Sequence, residues 1–417
     1  MSNVIDLLRN DFSTFAQREF NAVDALILCE LSYINMPTSV PKYCDNPKDI
    51  STVSINELLR IEDYSSMFSS GSPKVDKFRR KLLLAVASSP RYRGIRVGEY
   101  LERFDESNID ESLEQQFAGV TFDLSNCEGI DNPHTLVVAF RGTDNTLVGW
   151  KEDFNMAFRC PVPAQESAAE YLTSVAQRYS KRYSNKNFFN KIFSNKPFAN
   201  KLFARFSKSC VDAQNNPNII VVGHSKGGNM AAYAAMRLDA TSQKLGNLVS
   251  KIYSMDGPGF ACDVVDTSVF ANVSSRIEKV VPQSAFIGLI MDTGVPYKVT
   301  VADSIGLMQH FGMYWQIKDG DFDYCDCVTP RALAVSKAAN EWMMNLPFEE
   351  RKRRIDSVYS IFSSLGYPTF DEMSSHWSEV VPKLLKIAMH MDSKTYELIR
   401  SVMSAFALAG GSSDKKS

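Results

Sequence analysis

The sequence predicts an α/β protein with a mostly parallel sheet flanked by helices, and three observations carry that prediction. Short apolar runs bounded by turn residues recur at 116–122, 135–140, 218–222, 249–255 and 276–281, as buried strands do. Helical patterns separate several of them, at 164–179 and 229–238, and such alternation is the mark of doubly wound sheets. Hydrophobic residues make up 44% of the 417 and charged residues 23%. That composition supplies a large core and excludes a disordered or fibrous chain.

The flanking elements follow in order. Residues 1 to about 35 read as helical, because Val23, Leu26, Ile27, Leu31 and Ile34 recur at three- and four-residue spacing until Pro37, Pro41 and Pro47 break the pattern. A second helix, from Asp76 to about Ala87, follows the hinge Ser69-Ser70-Gly71-Ser72-Pro73. Beyond the strands, helices are predicted over 331–344, 348–362 and 378–391. The expected organisation is an N-terminal helical layer over 1–75, an α/β core over 76–325, a C-terminal helical region over 326–409 and a disordered tail over 410–417.

Eight Cys are too sparse for a disulfide framework, and no paired Cys-x-x-Cys knuckles accompany them, so no metal site is expected. The N-terminus lacks a secretory pattern, and no stretch approaches the roughly 20 apolar residues of a spanning helix. A cytoplasmic address is the expectation. The formal charge of −2, from 46 Lys+Arg against 48 Asp+Glu, argues against a generally basic nucleic-acid binder.

The most informative run is Asn218-Ile-Ile-Val-Val-Gly223-His224-Ser225-Lys226-Gly227-Gly228-Asn229. Gly-x-Ser-x-Gly here follows an apolar strand and opens a helix, the context of a nucleophile elbow in the α/β-hydrolase arrangement. A tight strand-to-helix turn strains the Ser backbone and needs glycines on either side. Ser225 is the candidate nucleophile. A glycine-rich turn with a solvent-facing serine is the alternative.

A serine nucleophile needs a base, and in this arrangement the chain order is Ser, acid, His. Of His134, His224, His310, His376 and His390, the order disfavours the first two. His376 and His390 lie in helical sequence. His310, in Gly306-Leu-Met-Gln-His-Phe-Gly312, sits in a plausible loop beyond the sheet and is the candidate general base. The acid should stand at a strand end between them. Asp256, before Gly257-Pro258-Gly259, fits best, with Asp303 and Asp292 as alternatives.

A second run, Thr135-Leu-Val-Val-Ala-Phe-Arg141-Gly142-Thr143-Asp144, continues to Gly149-Trp150-Lys151-Glu152-Asp153. With the elbow about eighty residues on, it resembles the class 3, fungal triglyceride-lipase-like branch of the α/β-hydrolases over roughly residues 20 to 320. The elbow is similar to that of lipase-like proteins of Gram-positive bacteria. The resemblance implies an oxyanion hole made by Thr143 and the backbone N–H of Lys226, with Trp150 and Asp153 bracing the Thr143 loop. It implies a carboxylic-ester substrate, a lipid or acyl ester, and no metal or organic cofactor. Two departures stand out. Class 3 lipases carry the acid one strand later, before Val-Pro, where this chain has Glu278-Lys-Val-Val-Pro282. Lys226 also replaces the apolar residue common after the nucleophile, so its ammonium must reach solvent, a carboxylate or an anionic group of the substrate.

Between these runs lies a basic aromatic insert over 181–208, with eight Lys/Arg, no Asp or Glu, Tyr183 and six Phe. Without it the chain carries 38 basic against 48 acidic residues, or −10. A five-residue Asn-Lys-x-Phe unit repeats four times from Asn185. On a helix such a period steps the rings about 140° apart, and on a strand it alternates their faces, so neither element sequesters them. A Phe flap over an acyl pocket, a surface docking peripherally on anionic membrane at the inner face, and a solvated loop all stay open. No nucleic-acid module accompanies the charge. Two rivals to ester hydrolysis follow: a catalytically idle hydrolase-fold protein binding a membrane or partner through the insert, and an acyltransferase.

Overall fold

Nine strands form one sheet in the computed structural model of the chain, in the order β1 (Val53–Ser54), β2 (Arg96–Asp105), β3 (Gln115–Asp123), β4 (Thr135–Phe140), β5 (Asn218–His224), β6 (Val249–Met255), β7 (Ile277–Pro282), β8 (Tyr297–Thr300) and β11 (Tyr324–Cys325). The structure describes residues 2–44, 50–105, 115–144, 147–193, 216–261, 265–367, 373, 376–393, 395–397 and 399–400. Strands β4 to β8 are parallel, while β1 to β4 and the β8 and β11 pair are antiparallel. A small hairpin, β9 (Ile317–Lys318) with β10 (Asp321–Phe322), stands beside the sheet.

Alternation along the central strands explains why they read as unbroken apolar runs. In β4, Val137 and Ala139 join one core with α2 (Ala22–Ser32) and α4 (Pro73–Ser88). Leu136, Val138 and Phe140 join the opposite core with α6 (Pro163–Phe193) and α7 (Lys226–Thr241). A parallel strand covered by helices on both faces has no solvent side to mark with polar residues. With helices on both faces of a mostly parallel sheet and a strand-turn-helix junction at its centre, the chain has an α/β-hydrolase fold.

The N-terminal sequence forms two helices, α1 (Val4–Asn10) and α2, in place of one continuous pattern. Asn3 and Asn21 each cap a helix by accepting backbone N–H groups, and each has an Asp at the third helical position closing a capping box. The link between these helices is pinned by buried Arg91, which grips Asp24 through two 2.7 Å bonds and donates to the carbonyls of Thr14, Arg18 and Glu19. A short α3 (Tyr64–Met67) precedes α4.

Strand β2 was not legible as a strand because its sequence, Arg-Val-Gly-Glu-Tyr-Leu-Glu-Arg-Phe-Asp, is half charged. The charges are matched in three dimensions. Glu99 sits at a bulge with φ 58°, where it meets buried Arg178 of α6 at 2.7 Å. Helix α6 itself runs through Phe193, past the expected end near 179 and into the insert. The insert beyond 193 lies outside the described residues, as does the tail at 410–417.

After α5 (Leu147–Asn155), α8 (Gln243–Gly246) and α9 (Thr267–Ser274) come the three expected C-terminal helices, α10 (Pro330–Met344), α11 (Phe348–Ser363) and α12 (Trp377–Ala388). Helix α11 lies on α5. Lys151 pairs with Asp356 and lies 5.1 Å from the Tyr359 ring, Phe154 meets Tyr359 edge-on, and buried Arg351 donates to the carbonyl of Ala157 at 3.0 Å.

Candidate active site

Ser225 links the last residue of β5 to the first of α7 with φ 58° and ψ −132°, a conformation that costs a side-chain-bearing residue about 1–3 kcal/mol. The turn is closed too tightly for other backbones. A Cβ on Gly223 would lie 2.0 Å from the Gly227 carbonyl, and one on Gly227 would lie 2.2 Å from the Phe140 carbonyl oxygen of β4. Two 2.9 Å hydrogen bonds, from Ser225 N–H to the Met255 carbonyl and from Gly228 N–H to the Ser225 carbonyl, fix the elbow. The first N–H groups of α7 point out of the helix without intrahelical acceptors.

Asp256 follows β6 directly, is 1% exposed and has φ 47°. Its backbone N–H donates to the Val280 carbonyl at 2.8 Å. One carboxylate oxygen accepts the Gly288 N–H at 3.1 Å, and the other lies 2.6 Å from His310 Nδ1. A carboxylate accepts, so Nδ1 carries the hydrogen and neutral His310 presents Nε2 as an acceptor. The structure thus joins the expected base and acid, 54 residues apart in sequence. It does not join the expected base to the nucleophile: among the described residues no hydrogen bond links Ser225 Oγ to His310. The alternative acids Asp292 and Asp303 are exposed. Of the other histidines, His134 stacks on Tyr183, His376 stacks on Tyr367 and His390 is exposed.

His224 has a part that its place inside the elbow did not reveal. Its Nε2 lies 2.7 Å from the His310 carbonyl oxygen, its Nδ1 lies 3.0 Å from the Tyr33 hydroxyl, and its ring lies 4.5 Å from the His310 ring. A carbonyl only accepts, so Nε2 carries the hydrogen and Tyr33 donates to Nδ1. The His310 loop is held further by Gln309, which accepts Ser284 N–H and donates to the Ser304 carbonyl, and by the buried Trp315 indole donating to the Gln309 carbonyl at 2.8 Å. Neither Tyr33 nor Gln309 carried a sequence signal. Trp315, five residues past His310, offered a weak one.

Burial, and then the adjacent His310, hold the His224 imidazole well below its ordinary value near 6.5. Between those values the unfolded chain binds a proton that the folded chain does not, so stability is lost as pH falls below about 6.5, by at most about 1.4 kcal/mol per pH unit. His224→Gln removes this group. We expect its unfolding midpoint to fall less than that of the wild type between about pH 7.5 and about pH 5.5; equal losses in chemical-denaturation curves would contradict the assignment.

On the other side of Ser225 runs the Arg141-Gly142-Thr143 loop. A Cβ on Gly142 would lie 3.0 Å from Ser225 Cβ, so this backbone packs against Ser225. The Thr143 hydroxyl donates to Asp153 of α5. Trp150 lies on α5, with its side chain outside the described residues. Lys226 reaches carboxylates: its ammonium is fully buried, donating to Glu152 at 3.0 Å and to the backbone and side-chain oxygens of Gln116 at 2.9 and 3.0 Å, with Asp153 at 3.7 Å. Burial alone would lower this ammonium, but Glu152 and Asp153 outweigh it and hold it above its ordinary range. Glu152 also accepts the backbone N–H groups of Gln116 and Ala164. Glu152 stands in the run after the Arg-Gly motif and Gln116 opens an apolar strand, but nothing local marks either as a partner of Lys226. Among the described residues no cluster of His, Cys, Asp and Glu is arranged to hold a metal ion.

Among solved structures the chain is similar to M37 lipase (14% identity, 65% of this chain and 70% of that one, TM-score 0.31). It is also similar to a lipase from Rhizopus microsporus var. chinensis (14% identity, 70% and 89%, TM-score 0.30) and to lipase II from Rhizopus niveus (15% identity, 67% and 91%, TM-score 0.29). No curated protein matches the sequence. The Mbeg1-like family matches residues 86–360, more than half of the chain and every strand of the main sheet from β2 onward, and the chain belongs to that family.

Proposed function

We propose that this chain is a serine hydrolase of carboxylic esters, acting on a lipid or other acyl ester. The observation that carries the reading is the 2.6 Å bond between His310 and Asp256, beyond the strand ends flanking a strained Ser225. Ser225 Oγ adds to the ester carbonyl carbon as its proton passes to His310 Nε2. Asp256 holds the imidazole in the required tautomer and stabilises its charged form. The backbone N–H groups of Thr143 and Lys226 receive the oxyanion. Collapse breaks the ester C–O bond, His310 returns the proton to the departing alcohol, and water repeats the sequence on the acyl enzyme. Delivery of the acyl group to an alcohol or amine in place of water is the acyltransferase variant, which product analysis with added acceptor separates.

The likeness of the elbow to that of lipase-like proteins of Gram-positive bacteria agrees with this reading. We place the protein in the cytoplasm, with peripheral contact at anionic membrane through the basic insert. Among the described residues no helix is long and apolar enough to cross a membrane. The test is labelling of the wild-type protein by a fluorophosphonate probe, with mass spectrometry locating the adduct; the expected site is Ser225. A wild-type chain that resists the probe and cleaves no p-nitrophenyl ester, yet sediments with anionic liposomes, would favour the idle, membrane-binding alternative.

A further inference from the structure

Lys226 occupies a place where its two ends serve the same centre. Its backbone N–H opens α7 beside Ser225, and its ammonium is enclosed by Glu152, Gln116 and Asp153. Asp153 in turn holds the Thr143 hydroxyl. The chain of contacts therefore runs from the helix that starts at the nucleophile, through a buried ammonium, to the carboxylate that moors the facing loop. Glu152 extends it to the backbone of β3 and to the start of α6.

We infer that the Lys226 side chain is a positioning residue, which fixes Thr143 relative to the elbow by holding the Asp153 carboxylate ionised and in place. This rests on the reading of Thr143 and Lys226 as the oxyanion donors and deepens it. A buried ammonium is an expensive way to fill space, because it must be desolvated and completely satisfied. An apolar residue would fill the same volume but would leave the Asp153 carboxylate without its cation. Burial pushes Asp153 up to about 6, against the lowering pulls of Lys226 and of the Thr143 hydroxyl. Glu152 and Asp144 face the same carboxylate and add to the upward push, while Lys151 on the outer side of α5 is occupied by Asp356 of α11. Lys226 is thus the cation that keeps Asp153 charged near neutral pH, and its loss carries the carboxyl further up. A protonated Asp153 is a weaker acceptor for Thr143, so the loop loosens as pH falls.

The test replaces Lys226 with Met, alone and together with Glu152→Gln so that no unpaired carboxylate stays buried, in the full chain and in an Asp153→Asn background. Circular dichroism and thermal unfolding identify the folded variants. Two readouts are taken: steady-state hydrolysis of a p-nitrophenyl ester across pH, and carboxyl-carbon and Thr-amide NMR titrations that need no activity. The expected results are a loss of about tenfold to a hundredfold in kcat with KM nearly unchanged, an acid limb displaced to higher pH, and Asp153 and Thr143 signals that titrate together at that higher pH. In the Asp153→Asn background, Lys226→Met should displace the acid limb no further. A folded Lys226→Met/Glu152→Gln protein with wild-type kcat and an unmoved Asp153 titration would overturn the inference, and so would an equal displacement in the Asp153→Asn background. An inert wild type whose Asp153 and Thr143 signals still respond to Lys226→Met would refute the hydrolase reading and leave the tether standing.

Discussion

Ser225→Ala is expected to lower kcat/KM for ester hydrolysis by about 10⁴-fold or more and to abolish fluorophosphonate labelling, with little change in folding. The magnitude follows from the roles at the elbow. In the proposed mechanism, removing Oγ deletes the only protein atom that bonds to the substrate, and the residual rate would come from the oxyanion donors and from binding alone. Stability should hold because the elbow is fixed by its backbone: Ser225 N–H to the Met255 carbonyl, and the Ser225 carbonyl to Gly228 N–H. The strained φ of 58° is no harder for Ala than for Ser. Hydrolysis within about tenfold of the wild type would remove Ser225 from the mechanism.

Asp256→Asn should cost on the order of 10³- to 10⁴-fold in kcat while leaving the fold intact. The Asn carbonyl oxygen can still accept the Gly288 N–H that the carboxylate accepts now. Its amide nitrogen then faces His310 Nδ1 as a donor, so Nδ1 must become the acceptor and Nε2 the protonated nitrogen. In that tautomer the imidazole cannot take a proton from Ser225. The charge that stabilises the imidazolium is lost with it. The corresponding change at exposed Asp292 or Asp303 should leave kcat/KM within about twofold. The measurement is pH-dependent kinetics of the three variants, and a large loss in either control with none at Asp256 would reassign the acid.

The strongly apolar strands and the elbow were legible because each obeys a local rule. Thr135–Phe140 is buried at every position and Val249–Met255 at all but Ser250 and Lys251, and Gly223 is required by its contact with Gly227 within the same turn, while Gly227 is required by the Phe140 carbonyl of the neighbouring strand. Asp256 and His310 were legible as types in the right order, although only the fold could bring an aspartate after β6 to a histidine 54 residues later. What stayed hidden depends on distant partners. Glu99 of the charged strand β2 is matched by Arg178 of helix α6, 79 residues away. Lys226 reads in the sequence as a cation that needs solvent, a carboxylate or an anionic substrate group, and which of these answers it is hidden because Glu152 lies 74 residues away. Tyr33 and His224 form a tie between the N-terminal helix and the His310 loop that no local pattern announces.

Helix α5 belongs to two neighbourhoods at once. Its inner side carries Glu152 and Asp153 toward the elbow, and its outer side carries Lys151 and Phe154 against α11. A boundary drawn after the last strand of the sheet would therefore strip the backing from the element that moors Thr143. It would also uncover Phe154 and leave Lys151 without its carboxylate. Exchange of the C-terminal helices without α5 should therefore disturb the Thr143 loop although no residue of that loop is changed.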